Sequence, residues 1–372
     1  MTDTVNATDP DLEAEIGAYA ENLMITGLHA LEAVTISLGR TLGLYDRLVE
    51  LGEANPPALA AAAGIHPRYA QEWLEQQAAA GFIAVVSGGV EGDPASRTYA
   101  LPMAAAACLT DPESLASVGP LFDLLPAVGT VLPALHAAFR SGGGVPYADY
   151  AIHDAQGDFN RPAFLNLLTT EWLPAVPGAA ACLERRDARV AEIGCGEGWA
   201  AIAIANAWPN ARVDGFDLDD ASIAAARKHA ADAGVADRVR FELVDVAGDI
   251  STRAELGSYD VVLAFEMIHD LAQPVAALQN MRSLGKSDAV VVVMDENVAE
   301  TFEAATENPI ERLFYAASVL HCLPVGMADA PSAGTGTVMR PATFRRYAAD
   351  AGFASVDILP IDHPMFRFYA LS

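Results

Sequence analysis

Positive charge is scarce in this chain. Its 372 residues carry 22 Lys and Arg against 49 Asp and Glu, a formal net charge of −27. Such a surface repels nucleic-acid phosphates and anionic lipid, so neither is an expected partner. Long apolar runs are missing as well. The longest strongly apolar stretches stay under about ten residues, where a membrane span needs roughly 20. The opening residues, MTDTVNATDPDLEAEIGAYAENL, lack the basic-then-apolar order of a secretion signal. The four cysteines, Cys108, Cys182, Cys195 and Cys322, form no C-x-x-C pair. Neither a disulfide framework nor a zinc module is expected, and a soluble protein of the reducing cytoplasm is.

What the chain has in quantity is apolar, alanine-rich sequence, at 52% hydrophobic. That composition and length suit two well-buried domains of roughly 100–200 residues each. Residues 1–22 are polar, an arm or a first helix, and apolar spacing of three and four predicts helix from Met24 to Leu51. A helix opened by Pro56–Pro57, a turn at Gly64 and a helix from Pro67 to Gly81 follow. Strands FIAVV and TYAL then flank the tip SGGVEGDPASR, which completes a winged-helix pattern. Such a domain serves either DNA or dimerisation. Residues 1–110 hold 14 acidic side chains against four basic, a net of −10. The would-be recognition helix RYAQEWLEQQ has two Glu for one Arg, so electrostatics favours dimerisation.

Residues 111–180 read as a helical linker. It is interrupted by RSGGGVPYADYAIHDAQGDFNRP, which is too punctuated for one helix and is a candidate lid. From residue 181 the pattern changes to strands alternating with helices. RVAEIG, ARVDGFD, VRFELVDV, YDVVLAF and AVVVVMD are the strands, which implies a parallel sheet covered on both faces. SVDILPI and MFRFYAL, separated by three residues, should close the chain as an antiparallel pair.

The first of these strands runs into EIGCGEGWAA. Gly194, Gly196 and Gly198 let the backbone turn tightly and approach a ligand, as in dinucleotide and nucleoside sites alike. Asp217 ends the second strand, where a carboxylate can accept both ribose hydroxyls. Asp245 ends the third, where it can hold an adenine amino group. Glu192 and Glu197 would repel the pyrophosphate of a dinucleotide but suit a phosphate-free cation. Cys195, Leu218, Val246 and Phe265 complete the expected cofactor set.

The arrangement resembles the class I S-adenosylmethionine-dependent methyltransferases, which place an acid two residues before the first glycine. With the winged helix it is similar to plant and bacterial small-molecule O-methyltransferases of secondary metabolism, including bacterial enzymes with the His66–Leu74 segment HPRYAQEWL. The resemblance implies a Rossmann-like, seven-stranded α/β sheet with an antiparallel last strand and S-adenosylmethionine as cofactor. It also implies a homodimer through residues 1–110, and a substrate-pocket insertion at about 297–340 in the domain 181–372.

His269 lies four residues past the fourth strand, in AFEMIHDLAQP. The plant-type enzymes carry His-Asp-Trp there, and their His deprotonates the substrate hydroxyl. Here Leu271 replaces the Trp. His269 is thus a candidate general base, with a turn-capping role as the alternative; no metal is expected. Asp270 is expected to bond the turn backbone rather than its neighbour. Asp295 or Glu296, at the end of strand five, could face the pocket, and Glu296 joins His269 as a catalytic candidate. Phe314, Tyr315, His321 and Met327 are the expected substrate wall. The expected reaction is methyl transfer to a small, fairly apolar or aromatic hydroxyl compound. Nitrogen, carbon or carboxyl acceptors, or a ligand-sensing regulator, are the alternatives.

Overall fold

The computed structural model describes residues 10–253 and 255–372. The chain divides into two compact units, one ending at Pro126 and the other beginning at Ala127.

In the first unit α1 (Pro10–Thr41) and α2 (Leu44–Leu51) replace the single helix expected to Leu51. Gly43, at φ 66°, makes the break, a left-handed residue that no helix continues through. Next come α3 (Pro56–Ala63) and α4 (Pro67–Ala79), each with proline in its first turn. The Asn55 side chain caps α3 by accepting from the Ala58 amide at 3.0 Å. Then follow β1 (Ala84–Ser87), its antiparallel partner β2 (Thr98–Ala100) and α5 (Met103–Leu109). Tyr45, Leu48, Leu59, Trp73, Leu74 and Tyr99 form the core. On α4, Arg68 is paired with Glu72, and Arg97 of the wing sits 3.1 Å from Glu75. The unit boundary falls within α6 (Gly119–Ser141), which by length and composition is apolar enough to cross a membrane.

In the second unit α7 (His153–Ala163) continues through a π-helical stretch, Phe164–Trp172, into α8 (Leu173–Ala175). Helix therefore runs through HDAQGDFNRP, where the punctuated sequence predicts an interruption. Pro162 removes one amide from the ladder, and the wider π turns follow directly after it. Only about residues 142–152 remain as a strap.

The rest is α9 (Ala179–Leu183), β3 (Arg189–Ile193), α10 (Trp199–Ala207), β4 (Arg212–Asp217), α11 (Asp220–Asp232), β5 (Val239–Leu243), β6 (Tyr259–Phe265), α12 (Pro274–Leu284), β7 (Gly285–Glu296), α13 (Pro309–Ala317), α14 (Leu323–Gly326), α15 (Pro341–Asp350), β8 (Val356–Ile358) and β9 (Phe366–Leu371). The seven strands lie in the order β5-β4-β3-β6-β7-β9-β8. All neighbours are parallel except β9, which runs antiparallel between β7 and β8. One face is covered by the helix around Leu168 and Trp172 with α10 and α11, the other by α12 and α15. Because both faces are covered, the central strands are near-continuous apolar runs, and β6 is buried along its whole length.

A polar clamp holds the opposite edge of the sheet. Buried Asp260 accepts from the Arg189 amide at 3.0 Å, from Arg185 at 3.0 Å and from Lys286 at 2.7 Å. It thereby joins the starts of β3, β6 and β7. Asp260→Ala should lower unfolding stability by about 2 kcal/mol, because the Arg189 amide and two cationic side chains lose their shared acceptor. Urea melts of both proteins check this, and an unchanged midpoint would count against the clamp.

Candidate active site

At the carboxyl ends of the parallel strands, where open α/β sheets hold ligands, lies a cavity of about 410 Å³. The glycine turn forms its floor. The Gly194 and Cys195 amides both donate to the Phe216 carbonyl, at 2.8 and 3.1 Å, and dock the turn on β4. Gly194 sits at φ 67°, and a β-carbon there would lie 2.6 Å from Met267. Asp217 receives the Gly196 amide at 2.8 Å on one oxygen and the Asp219 amide at 2.9 Å on the other. Each oxygen keeps a further acceptor position for a ligand hydroxyl.

The ten expected cofactor residues all reach this cavity: Glu192, Gly194, Cys195, Gly196, Gly198, Asp217, Leu218, Asp245, Val246 and Phe265. Its wall holds eight carboxylates, with Glu197, Asp219, Glu266, Asp270 and Asp329 beside Glu192, Asp217 and Asp245, but no Lys or Arg. Glu192 Oε2 is buried without a hydrogen-bond partner. Burial, with Asp217 adding to it, pushes its carboxyl up to about 8 against a bond from the Ala201 backbone. A buried carboxylate with an orphaned oxygen fits the ammonium group of S-adenosylmethionine, and the phosphate-free anionic wall fits its sulfonium.

His269 lies just behind the wall rather than on it. The 3₁₀ turn Ile268–Asp270 buries its ring, with Nδ1 at 2.9 Å from Asp295 and 3.0 Å from Glu296. Nε2 lies 3.2 Å from Asp270 Oδ1, so the two neighbours do meet, contrary to the expectation for an adjacent pair. An extended backbone would send their side chains apart; the tight turn brings them together. Burial alone would depress the imidazole, but Glu296, Asp295 and Asp270 outweigh it and raise its pKa well above the usual value. The Asp295 contact has hydrogen-bond geometry, while Asp270 Oδ1 and Glu296 Oε2 are buried without a hydrogen-bond partner and act on the ring by charge, favouring its protonated form. Asp270, unlike His269 and Glu296, faces the cavity.

The donor atoms of His269, Asp295 and Glu296 lie within 4.8 Å of one another, as do those of His269, Asp270 and Cys322. The His269 Nδ1–Asp295 Oδ1 separation of 2.9 Å is that of a charge-assisted hydrogen bond.

None of the four expected substrate residues lines the cavity. Phe314 is buried in the body of α13. The Tyr315 hydroxyl accepts from Arg340 at 2.6 Å. Met327 follows the end of α14. A π-helical stretch, Ser318–Cys322, joins α13 to α14, and His321 within it packs edge-on against Tyr150 and Tyr147. The insertion supplies Val325, Ala328 and Asp329 instead.

The strap and α7 supply wall residues that sequence reasoning did not single out, namely Tyr147, His153, Gln156 and Asn160. The Val145 amide donates to the Pro324 carbonyl and the Tyr150 hydroxyl to the Leu320 carbonyl, both at 2.9 Å. Their signal was the Gly-rich, aromatic stretch identified as a candidate lid.

Residues 184–323 match the methyltransferase-domain family, and residues 30–111 match an Rv2258c-like winged helix–turn–helix domain. A ubiquinone biosynthesis O-methyltransferase of Cupriavidus pinatubonensis is 27% identical over 61% of this chain and 83% of that protein. Among solved structures, the mitomycin 7-O-methyltransferase MmcR superposes with a TM-score of 0.68 at 21% identity, covering 96% of this chain and 99% of its own. Human N-acetylserotonin methyltransferase, in complex with its cofactor, gives 0.67 at 15% identity, covering 98% of each chain. At these identities the structural likeness speaks for the fold.

A methyltransferase domain thus follows a winged-helix domain in one chain. The protein is an S-adenosylmethionine-dependent methyltransferase.

The raised Glu192 carboxyl gives a testable linkage. The folded, cofactor-free protein binds a proton that the unfolded chain has already released, so stability falls as pH rises from about 4.5 to 8 and levels off above. Thermal melts of cofactor-free protein should show this slope, and Glu192→Gln should reduce it by about one proton, leaving the share of Glu197 and Glu266, whose carboxyls are raised through the same window. Cofactor binding at pH 7 should release a proton from Glu192, read by calorimetry in buffers of different ionisation enthalpy. Equal heats in all buffers would refute the ammonium contact.

Proposed function

We propose that the protein is a cytoplasmic enzyme that transfers a methyl group to the hydroxyl of a small, fairly apolar or aromatic acceptor. The observation that carries this reading is one cavity in which a glycine turn and strand-end acids face an apolar wall. Pro146, Phe164, Leu271 and Val325 contribute to that wall. The names of the ubiquinone and mitomycin O-methyltransferases, which act on oxygen, support it.

The glycine turn approaches the cofactor's methionine portion, Asp217 accepts its ribose hydroxyls, Asp245 its adenine amino group and Glu192 its ammonium. When bound, S-adenosylmethionine supplies a methyl group made electrophilic by its sulfonium. The strap excludes water and aligns the acceptor. His269, the candidate general base, stands behind the wall with Nδ1 bonded to Asp295 and Nε2 3.2 Å from Asp270, whose carboxylate faces the acceptor. An amine acceptor is the second reading, favoured by a wall with eight carboxylates and no Lys or Arg.

Turnover of labelled S-adenosylmethionine against a panel of phenols, aliphatic alcohols and amines tests the reading. Labelled product from phenols is the expected result. Label in amines alone would move the acceptor to nitrogen.

The winged-helix unit serves a homodimer in this reading. Along α1, Leu12, Ile16, Leu23, Leu31, Val34 and Leu38 are all exposed, a stripe that a second copy would cover. The pairing of Arg68 and Arg97 with carboxylates argues against DNA as the occupant. Light scattering should give twice the chain mass, falling to the monomer mass in Leu23→Glu/Leu31→Glu. A wild-type monomer at micromolar concentration would rule the dimer out.

A further inference from the structure

The cavity has a cofactor half, built from the glycine turn and the ends of β4 and β5, and an acceptor half that includes the strap and α7. Helix α7 carries two ridges whose residues stand one turn apart. Along the first, His153, Gly157 and Arg161 meet the cofactor half at three successive points. His153 Nε2 lies 3.4 Å from Asp219 Oδ2, an oxygen that also caps α11 by accepting from the Ser222 amide at 2.7 Å. Gly157 receives the side chain of Glu197 from the glycine turn. The Arg161 guanidinium stands 4.4 Å from the centre of the Trp199 ring, at the start of α10. Along the second ridge, Gln156, Asn160 and Phe164 line the cavity.

We propose that Glu197 is a positioning residue. Seated in a notch at Gly157, it fixes α7 on the glycine turn and so sets the part of the wall made by Gln156, Asn160 and Phe164. That this wall serves the acceptor rests on the methyl-transfer reading above.

The notch is a matter of shape. Gly157 lies in the middle of a helix, where glycine is a poor former. A β-carbon there would stand 2.4 Å from Glu197 Oε2, 2.6 Å from its Cδ and 3.0 Å from its Cγ, so glycine is what admits the carboxyl end. From the other side, His229 Nδ1 donates to the Glu197 carbonyl at 3.2 Å, and its ring stacks on Trp199 with centroids 4.3 Å apart. The backbone of the turn is thereby pinned while the side chain, 7% exposed, reaches α7. Charge does not supply the fit. Asp154 and Asp158 of α7 share the sign of Glu197, and His229 Nδ1 is 4.0 Å from Oε2 and is spent on the backbone.

Gly157→Ala, made in two backgrounds, reads the contact directly. In the otherwise wild-type protein the new β-carbon drives the carboxyl out of the notch toward the cavity that Glu197 lines. Calorimetry should show S-adenosylmethionine binding about tenfold or more weaker, and the melting midpoint should fall. In Glu197→Ala the notch is empty. There the same substitution should change cofactor affinity by less than about threefold and raise the midpoint, because alanine favours helix over glycine. Equal effects in the two backgrounds overturn the proposal.

Glu197→Ala by itself should loosen α7. Hydrogen exchange of the α7 amides should quicken about tenfold or more, with those of β6 unchanged. With phenol as the probe acceptor, its KM should rise about tenfold and more than that of the cofactor. Glu197→Gln, which keeps the shape, should restore the phenol KM. Unchanged exchange in α7, or a cofactor loss larger than the phenol loss, overturns the positioning role, the latter by making Glu197 a cofactor ligand. A wild type that methylates no phenol overturns the hydroxyl reading alone, since calorimetry and exchange decide the docking of α7 without an acceptor.

Discussion

A buried histidine whose protonated form three neighbouring carboxylates favour governs the chemistry-bearing edge of this sheet. His269 stands between Asp270 at one nitrogen and Asp295 and Glu296 at the other. Without that charge, carboxylates from the ends of two adjacent strands would be forced together in a low-dielectric interior, each raising the others' pKa. With it, the ends of β6 and β7 are tied to one ring. The His269 carbonyl also accepts from the Gly336 amide, which draws the insertion into the same knot. The position of Asp270, and with it part of the cavity wall, is tied to that single side chain.

The cofactor half was legible in the sequence because its determinants are local. A strand, a glycine turn and two strand-end acids each announce themselves within a few residues, and parallel pairing brings the three loops together. The acceptor half was not, because it is assembled from distant pieces: the strap, α7 and the insertion. Its two helices contain π-helical stretches, Phe164–Trp172 and Ser318–Cys322, which shift the facing of every residue beyond them. The wall of Phe314, Tyr315, His321 and Met327 was expected from the position of the insertion; Phe314 and Tyr315 lie in ordinary α-helix ahead of the second stretch, and only His321 and Met327 lie within or beyond it.

His269 illustrates a subtler difficulty. Its position near the reacting centre could be read from the strand ahead of it. Its orientation could not, since a 3₁₀ turn of three residues decides which way the ring points. Glu266, also on the cavity wall, was not legible for a related reason: its φ is 52°. Nothing in the letters AFEMIHD tells that the glutamate takes a left-handed conformation, because most glutamates in sequence do not. The scarcity of Lys and Arg, by contrast, translated directly into a cavity wall without a single one.

The strap has two anchors on the same helical segment, at Leu320 and Pro324, while upstream of it Gly142 and Gly143 have open space around them. The two bonds join strap and insertion into one piece of wall, so a substitution that shifts the Leu320–Pro324 segment would shift Tyr147 and its neighbours on the strap with it.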